Sequence, residues 1–140
     1  MPVSIRERLL DAITDAVSGE YGVPAPESER DLPICIVQDG EETAESDDYG
    51  YTTHELPLVV AKAATATSTS KDAMRTQCHE LLASIRVDMF ADEKFGGLAD
   101  GIEYTGGGIQ TELAKVCFAD AQFVVRYHTV RGDPYTIDEE

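Results

Sequence analysis

Residues 119–130, ADAQFVVRYHTV, contain the pattern that most constrains the fold of this chain. From position 122 onward the side chains fall into two alternating sets. Because successive side chains of a strand point to opposite faces, this alternation predicts an antiparallel strand with one buried face. One face is expected to carry Phe123, Val125, Tyr127 and Thr129, and the other Gln122, Arg126 and His128.

Two segments have the 3.6-residue period of amphipathic helices. The first is residues 4–18, in which Ser4 and Glu7 have the spacing of a capping box. The second is residues 70–90, with Ser70 in position to cap its start. The predicted apolar faces comprise Ile5, Leu9, Ala12, Ile13, Ala16 and Val17 in the first helix, and Met74, Cys78, Leu81, Leu82, Ile85 and Met89 in the second.

The segment between these helices predicts a strand pair. Residues 34–37, ICIV, are β-rich and are expected to form a buried strand. Residues 51–67 have β character as well, and Pro57 within them predicts an edge position or a bulge, because proline cannot donate to a ladder. Residues 23–31 are expected to be a polar connector that is not helical.

The last third of the chain completes the predicted order of elements. Residues 102–113, IEYTGGGIQTEL, predict short strand pieces around a glycine-rich turn, and a polar, extended tail is expected from about residue 131. The order α-β-β-α-β-β predicts one α+β domain over residues 1–140. Its mainly antiparallel or mixed sheet of four strands would carry both helices on one face.

Residues 38–50, QDGEETAESDDYG, carry six carboxylates and no cation. Their charge predicts a solvated loop that joins the first two strands and is extended and mobile in the free protein. A calcium loop of the EF-hand type needs Gly at its sixth position and Glu at its twelfth, and this segment has neither. The six carboxylates are those of Asp39, Glu41, Glu42, Glu45, Asp47 and Asp48.

The charge balance argues against nucleic-acid recognition. Eleven Lys and Arg stand against 27 Asp and Glu, which gives a net charge of −16. Such a surface repels phosphate, so sequence-specific DNA or RNA binding is not expected. No signal peptide is expected because charges interrupt the first residues, and no membrane span is expected because the longest apolar runs fall short of about 20 residues.

The remaining motifs predict neither a metal site nor catalysis. HELLA, residues 79–83, begins like a zinc-protease helix, but Ala83 stands where the second His is required. TGGG lacks the Lys-Ser/Thr of a phosphate-binding loop and is interpreted as a turn. There is no G-x-S-x-G motif, so the sequence predicts no catalytic residue, no metal, no cofactor and no enzyme. Three cysteines in apolar surroundings are expected to be core residues in a reducing compartment: Cys35, Cys78 and Cys117.

The segment FVVRYHTVRGDPYT, residues 123–136, together with the order of elements, resembles the tail terminator family of long-tailed bacteriophages, proteins similar to the lambda minor tail protein U. Members are small acidic α+β domains that begin with an amphipathic helix, here IRERLLDAI, and often end in an aromatic-rich segment. The matching positions are Tyr127, Thr129, Gly132, Asp133, Pro134 and Tyr135.

The resemblance implies a structural, non-enzymatic role in the virion. Family members form a hexameric ring that caps the tail tube, stops its polymerisation and offers a surface to the head. The implied partners are further copies of the chain, the tail tube protein and a head-completion or neck protein, while DNA passes through the pore without specific binding. The implied location is the head-proximal end of the tail, and the host cytoplasm during assembly.

Two groups of residues are candidates for the assembly surfaces of such a ring. The first is the six carboxylates of residues 38–50, as an assembly loop. The second belongs to the C-terminal strand and tail: Arg126, His128, Arg131, Asp133 and Tyr135.

Three other readings remain open on the sequence alone. One is a head-closure, neck or other tail-completion protein, which would differ in its partner. Another is an acidic DNA mimic or small protein-binding module, although the acids gather in a loop and near the termini rather than in a phosphate-like row. The third is an enzyme of unrecognised type.

Overall fold

The computed structural model describes residues 3–22, 33–68, 70–110 and 115–137. A short 3₁₀ turn at Phe95–Gly97 follows the second helix. The other elements in chain order are α1 (Ile5–Ala16), β1 (Glu20–Tyr21), β2 (Ile34–Asp39), β3 (Thr43–Ser46), β4 (Tyr51–Thr65), α2 (Lys71–Phe90), β5 (Gly101–Gln110) and β6 (Val116–Val130).

The fold is of the α+β class, as predicted, but its sheet has six strands in the described residues rather than four. The strand order is β1-β2-β4-β6-β5, and β3 also pairs with β4. β1 runs parallel to β2, and the other pairs are antiparallel. The sequence did not predict β1 and β3 because strands of two and four residues are too short to show alternation.

Both helices pack against one face of the sheet. The alternation of β6 is confirmed, because Phe123, Val125, Tyr127 and Thr129 are buried whereas their neighbours are more exposed. In β4 the residues of the same face are Leu56, Leu58 and Val60. This face meets the buried residues of α1, which are Ile5, Leu9, Leu10 and Ile13, and those of α2, which are Cys78, Ile85 and Met89.

Both helices begin where the sequence predicts. The Ser4 hydroxyl accepts a hydrogen bond from the Glu7 backbone N–H (3.2 Å), and the Ser70 hydroxyl accepts one from that of Ala73 (3.5 Å). The apolar face of α1 differs from the prediction at two positions. Leu10 is buried, and Ala16 is exposed.

Pro57 divides one edge of β4 into two pairings. Its carbonyl accepts a hydrogen bond from the Gly40 N–H at 2.7 Å, so it faces β2 and β3. Since the N and C=O of one strand residue point to the same side, the missing N–H of Pro57 falls on this edge too. The ladder therefore stops after Asp39 and resumes at Thr43, while β6 pairs with β4 without interruption. Pro57 therefore lies in a central strand and not in the predicted edge strand, and the irregularity opposite it falls in the segment between β2 and β3.

The acidic segment 38–50 is not the open loop that the sequence predicted. Its first two residues end β2, Thr43–Ser46 form β3, and only residues 47–50 make a turn. In that turn the Asp47 carboxylate accepts from the backbone N–H groups of Tyr49 (2.8 Å) and Tyr51 (3.0 Å). Pairing with β4 therefore orders the segment despite its charge. We call residues 38–50 the acidic hairpin arm.

The glycine-rich segment is also not a turn. Gly106, Gly107 and Gly108 lie within β5, next to a bulge between Tyr104 and Gly106. A Cβ on Gly107 would lie 2.9 Å from the Asp120 backbone carbonyl oxygen, as well as 2.5 Å from the Tyr104 hydroxyl and 3.0 Å from Leu82 Cδ1, so a larger residue would force the backbone to shift. Gly107 thus allows an edge strand to pack under α2, and the segment does not reverse the chain.

The tail is folded back rather than extended over residues 131–137. Val130 pairs with Asp133, and the Pro134 carbonyl accepts from the Ile5 N–H at 2.9 Å. The tail thus covers the start of α1. The predicted connector at residues 23–31 and the last three residues lie outside the described residues.

Gly107→Ala tests the close approach of β5 to α2. We expect it to lower the free energy of unfolding by about 1–3 kcal/mol, because the new methyl group has no room. Gly106→Ala is the matched control, since a Cβ there meets nothing within 4 Å. It should leave stability within about 1 kcal/mol of wild type. Urea denaturation of both variants gives the comparison, and equal losses would contradict the explanation.

Candidate functional site

A polar network lies where α1, β2, β4 and β6 meet. Its members are joined by side-chain hydrogen bonds and ion pairs, and most of them are shielded from solvent. They are Arg6, Tyr21, Asp39, Glu42, His54, Tyr127 and Thr129.

Arg6 joins the first turn of α1 to two carboxylates of the acidic hairpin arm. Its guanidinium forms an ion pair with Asp39, and its Nη1 lies 3.6 Å from Glu42 Oε1. The Tyr21 hydroxyl donates to the other oxygen of Asp39 at 2.6 Å. Burial alone would raise the pKa of Asp39, but the hydrogen bonds from Tyr21 and Arg6 outweigh it and lower that pKa.

Glu42 and His54 connect the arm to β6. The Tyr127 hydroxyl donates to Glu42, and burial together with this bond and the Glu42 charge raises the pKa of Tyr127. His54 stacks on the Tyr127 ring with centroids 4.4 Å apart. Its Nδ1 lies 3.1 Å from Glu42 Oε2, and its Nε2 lies 2.9 Å from Thr129 Oγ1. Because an ionised carboxylate only accepts, Nδ1 donates to it, and Nε2 of a neutral ring accepts from Thr129.

The contacts of Thr129, His54 and Glu42 follow the order hydroxyl, imidazole, carboxylate that activates a nucleophile in hydrolases. The hydroxyl, however, lies on the face of β6 that packs against the helices, and Thr129 is only 4% exposed. A substrate carbonyl would have to reach that buried oxygen. The geometry instead satisfies buried polar atoms and fixes the hairpin arm to the sheet.

The six predicted carboxylates of the arm differ in the contacts that they make. Asp39 and Glu42 belong to the polar network, and Asp47 holds its own turn. Hydrogen bonds from the Tyr51 and Tyr49 backbone lower the pKa of Asp47, and the nearby Arg131 charge adds to this. The other three are exposed and make no ion pair with any described residue: Glu41, Glu45 and Asp48. Tyr49, beside them, is 86% exposed.

The C-terminal candidates fall on two surfaces. Arg126 lies between Glu55 (3.5 Å) and Glu103 (3.1 Å), and His128 Nδ1 lies 2.8 Å from Asp100. The backbone N–H of Arg131 donates to the Gly50 carbonyl at 2.7 Å, which brings the end of β6 beside the arm. Asp133 and Tyr135 lie instead near α1. The Asp133 carboxylate accepts from the Tyr135 N–H, and the Tyr135 carbonyl accepts from Arg8.

The sheet face opposite the helices, which we call the helix-free face, has two halves. One half is mainly apolar, with Gln38, Asp120 and Gln122 among its residues, and the other is charged. A groove of about 290 Å³ crosses it from Gln38 over Val59 and Gln122 to Thr105. The apolar half carries Ile34, Ile36, Val59, Ala61, Ala63, Val116, Phe118 and Val124, and the charged half carries Glu45, Glu55, Glu103, Arg126 and His128.

The sequence did not point to Arg6, Tyr21, His54 or Thr129 as a connected group. The sequence did contain one indication. His54 lies two and four residues before Leu56 and Leu58 in the same strand, so its side chain is on their buried face. The pairing of His54 with Thr129 depends on the register of β4 against β6, which alternation alone does not give.

Neither helix of the described residues is long and apolar enough to cross a membrane. In the part of the chain that the structure describes, no three His, Cys, Asp or Glu side chains gather as a metal ion would need.

Arg6→Met tests the polar network. At neutral pH we expect it to lower the free energy of unfolding by about 1–2 kcal/mol, because Asp39 and Glu42 lose their cation while remaining half-buried. Arg8→Met is the matched control. Arg8 lies on the exposed side of the same helix and makes one hydrogen bond to the Tyr135 carbonyl. Its loss should stay below about 0.5 kcal/mol.

The pH dependence distinguishes an ion pair from lost packing. The pKa of Asp39 is lowered by folding, so its contribution is present above the unfolded value of about 3.9 and is lost as pH falls through the folded value. The stability difference between wild type and Arg6→Met should therefore shrink from pH 7 to about pH 3 in urea titrations. A difference that stays constant over this range would contradict the ion-pair account.

Comparison with known proteins shows no family. No family model matches the chain, and no curated protein matches it. Among solved structures, the chain is similar to one described as "Virion of native gene transfer agent (GTA) particle", with 15% sequence identity. The match covers 89% of this chain and 92% of that one, with a TM-score of 0.40. At this TM-score the likeness indicates neither a family nor an activity for this chain.

Proposed function

We propose that this chain is a structural protein of a phage-like virion, which forms a hexameric ring at the head-proximal end of the tail. The ring caps the tail tube, ends its polymerisation and provides the surface to which the head or neck is joined. The proposal takes its biological setting from the C-terminal segment at residues 123–136 and its physical support from the surfaces described above.

The observation that carries the proposal is the helix-free face. Both helices cover the other face, so the apolar side chains of Ile34, Val59, Phe118 and Val124 lie on a side that no described element covers. Asp120 and Gln122 lie among them, so the face is mixed, and its apolar side chains are candidates for a protein contact. A contact between this face and a different surface of the next copy is heterologous, and such contacts form a ring when the rotation between successive copies closes.

The acidic hairpin arm has the second role in the proposal. Glu41, Glu45 and Asp48 point into solvent, while Asp39 and Glu42 hold the arm on the sheet. The arm can therefore present three charges on a fixed support to the tube protein or a neighbouring copy. Acids that face the pore would repel DNA phosphate and let DNA pass without binding.

We further propose that the chain is not an enzyme and holds no cofactor. Support comes from the burial of the Thr129 hydroxyl, which would have to act as the nucleophile in the Thr129–His54–Glu42 arrangement.

Val59→Glu tests whether the helix-free face makes the ring. Wild type should form six-fold rings in negative-stain images at high concentration. The ring fraction in light scattering should rise with ionic strength, because salt screens a charge of −16 per chain. Val59→Glu should reduce the ring fraction at least tenfold, since a buried charge at the contact is unfavourable.

Val87→Glu is the matched control, because Val87 is 69% exposed on α2, away from that face. It should form rings as wild type does. Circular dichroism confirms that both variants are folded. A strictly monomeric wild type at high salt and concentration would contradict the ring, and rings from Val59→Glu at the wild-type level would contradict the contact face.

Neutralising the exposed acids of the arm tests its role separately. A deletion of residues 38–50 is unsuitable, because it removes β3 and the network residues Asp39 and Glu42. The triple variant E41Q/E45Q/D48N keeps the fold and should weaken ring formation or joining to tail tubes. The control D11N/E80Q/E93Q changes the net charge equally at exposed helix and turn positions. Equal effects in both variants would show that only net charge matters and would contradict a specific role for the arm.

A further inference from the structure

Cys78 and Cys117 form a pair of neighbouring thiols between α2 and β6. Both are 0% exposed. The Cys78 thiol lies 3.5 Å from the Gln110 carbonyl of β5, and the Cys117 thiol lies 3.6 Å from the carbonyl of Met74, one helical turn before Cys78. Each thiol therefore contacts the backbone close to the other cysteine. Both lie where the first half of α2 packs on the sheet.

The surroundings of the two thiols lower their reactivity. Burial, followed by the neighbouring Cys78 thiol, raises the pKa of Cys117 to about 11. In the folded protein at neutral pH this thiol is almost entirely protonated, and it is therefore a slow nucleophile. At neutral pH the pair therefore reacts slowly with oxidants.

We propose that Cys78 and Cys117 are a site of reversible disulfide formation that ties α2 to β6. In the forward step each thiol loses one proton and one electron, and an S–S bond forms between the two sulfur atoms. A two-electron oxidant takes up both electrons and both protons; with the small oxidant diamide the product is the hydrazine. A dithiol reductant reverses the step by exchange.

The expected consequence is a more stable helix–sheet contact. The bond closes the loop from residue 78 to residue 117, which includes β5 and the turn after α2. Restricting the unfolded chain in this way should raise the melting temperature by about 10 °C.

The timing of the step rests on the proposed function, whereas its chemistry does not. A virion protein folds and assembles in a reducing cytoplasm and later meets an oxidising exterior. The bond would then form after assembly and stabilise the released particle. The experiment below uses the chain itself, so its result is independent of whether rings form.

Diamide treatment of the folded, full-length chain tests the proposal. Of three free thiols, two should be lost in thiol titration, with loss of two hydrogens in the intact mass and a Cys78–Cys117 linkage in the non-reduced peptide map. The reaction should be faster at pH 8.5 than at pH 7, because the thiolate is the reactive form. The melting temperature should rise by about 10 °C and return on reduction.

Cys35→Ala is the matched control, because it removes the third thiol from β2 and leaves the pair intact. It should oxidise as wild type does, and it carries the test alone if Cys78→Ala or Cys117→Ala fails to fold. When folded, the latter two should show no rise in melting temperature. Two titratable thiols remaining in folded Cys35→Ala after treatment, or linkages only between chains, would overturn the proposal.

Discussion

The antiparallel pairing of β4 with β6 over fifteen residues each is the constraint on which the rest of the structure depends. It gives the sheet a single register from Tyr51 to Thr65. That register places Leu56, Leu58, Phe123 and Val125 together under both helices, and the same pairs define the helix-free face behind them. The pairing of β4 with β6 therefore determines the positions of the core, the polar network and the proposed contact face.

The sequence predicted what depends on local periodicity. The alternation around Phe123 gave the buried face of β6, and the 3.6-residue period gave both helices with Ser4 and Ser70 as their caps. It did not predict what depends on contacts between distant residues. Gly107 has no room for a side chain because the Asp120 carbonyl and Leu82 approach it closely, and no local pattern encodes those contacts.

In the candidate site, too, the sequence predicted the local feature but not the contacts between distant residues. Counting charges gave −16 and singled out residues 38–50, but it could not say which carboxylates turn inward. Asp39 and Glu42 are fixed by Arg6 and Tyr127, which lie 33 and 85 residues away in the chain. The three exposed acids, which make no ion pair with any described residue, can be identified only once those partners are known. Charge density therefore identified the segment, and tertiary structure identified the exposed residues within it.

Pro57 affects where the sequence could accept insertions during evolution. Residues 40–42 span the gap opposite Pro57, between the end of β2 and the start of β3. The register of β3 is held by the Asp47 turn and that of β2 by six pairs with β4, so neither depends on the length of this gap. Because Gly40 is hydrogen-bonded to Pro57 and Glu42 belongs to the polar network, insertions beside Glu41 would lengthen this segment while leaving the helix-packed core in register. The proline thus separates a part of the chain that can vary in length from a part that cannot.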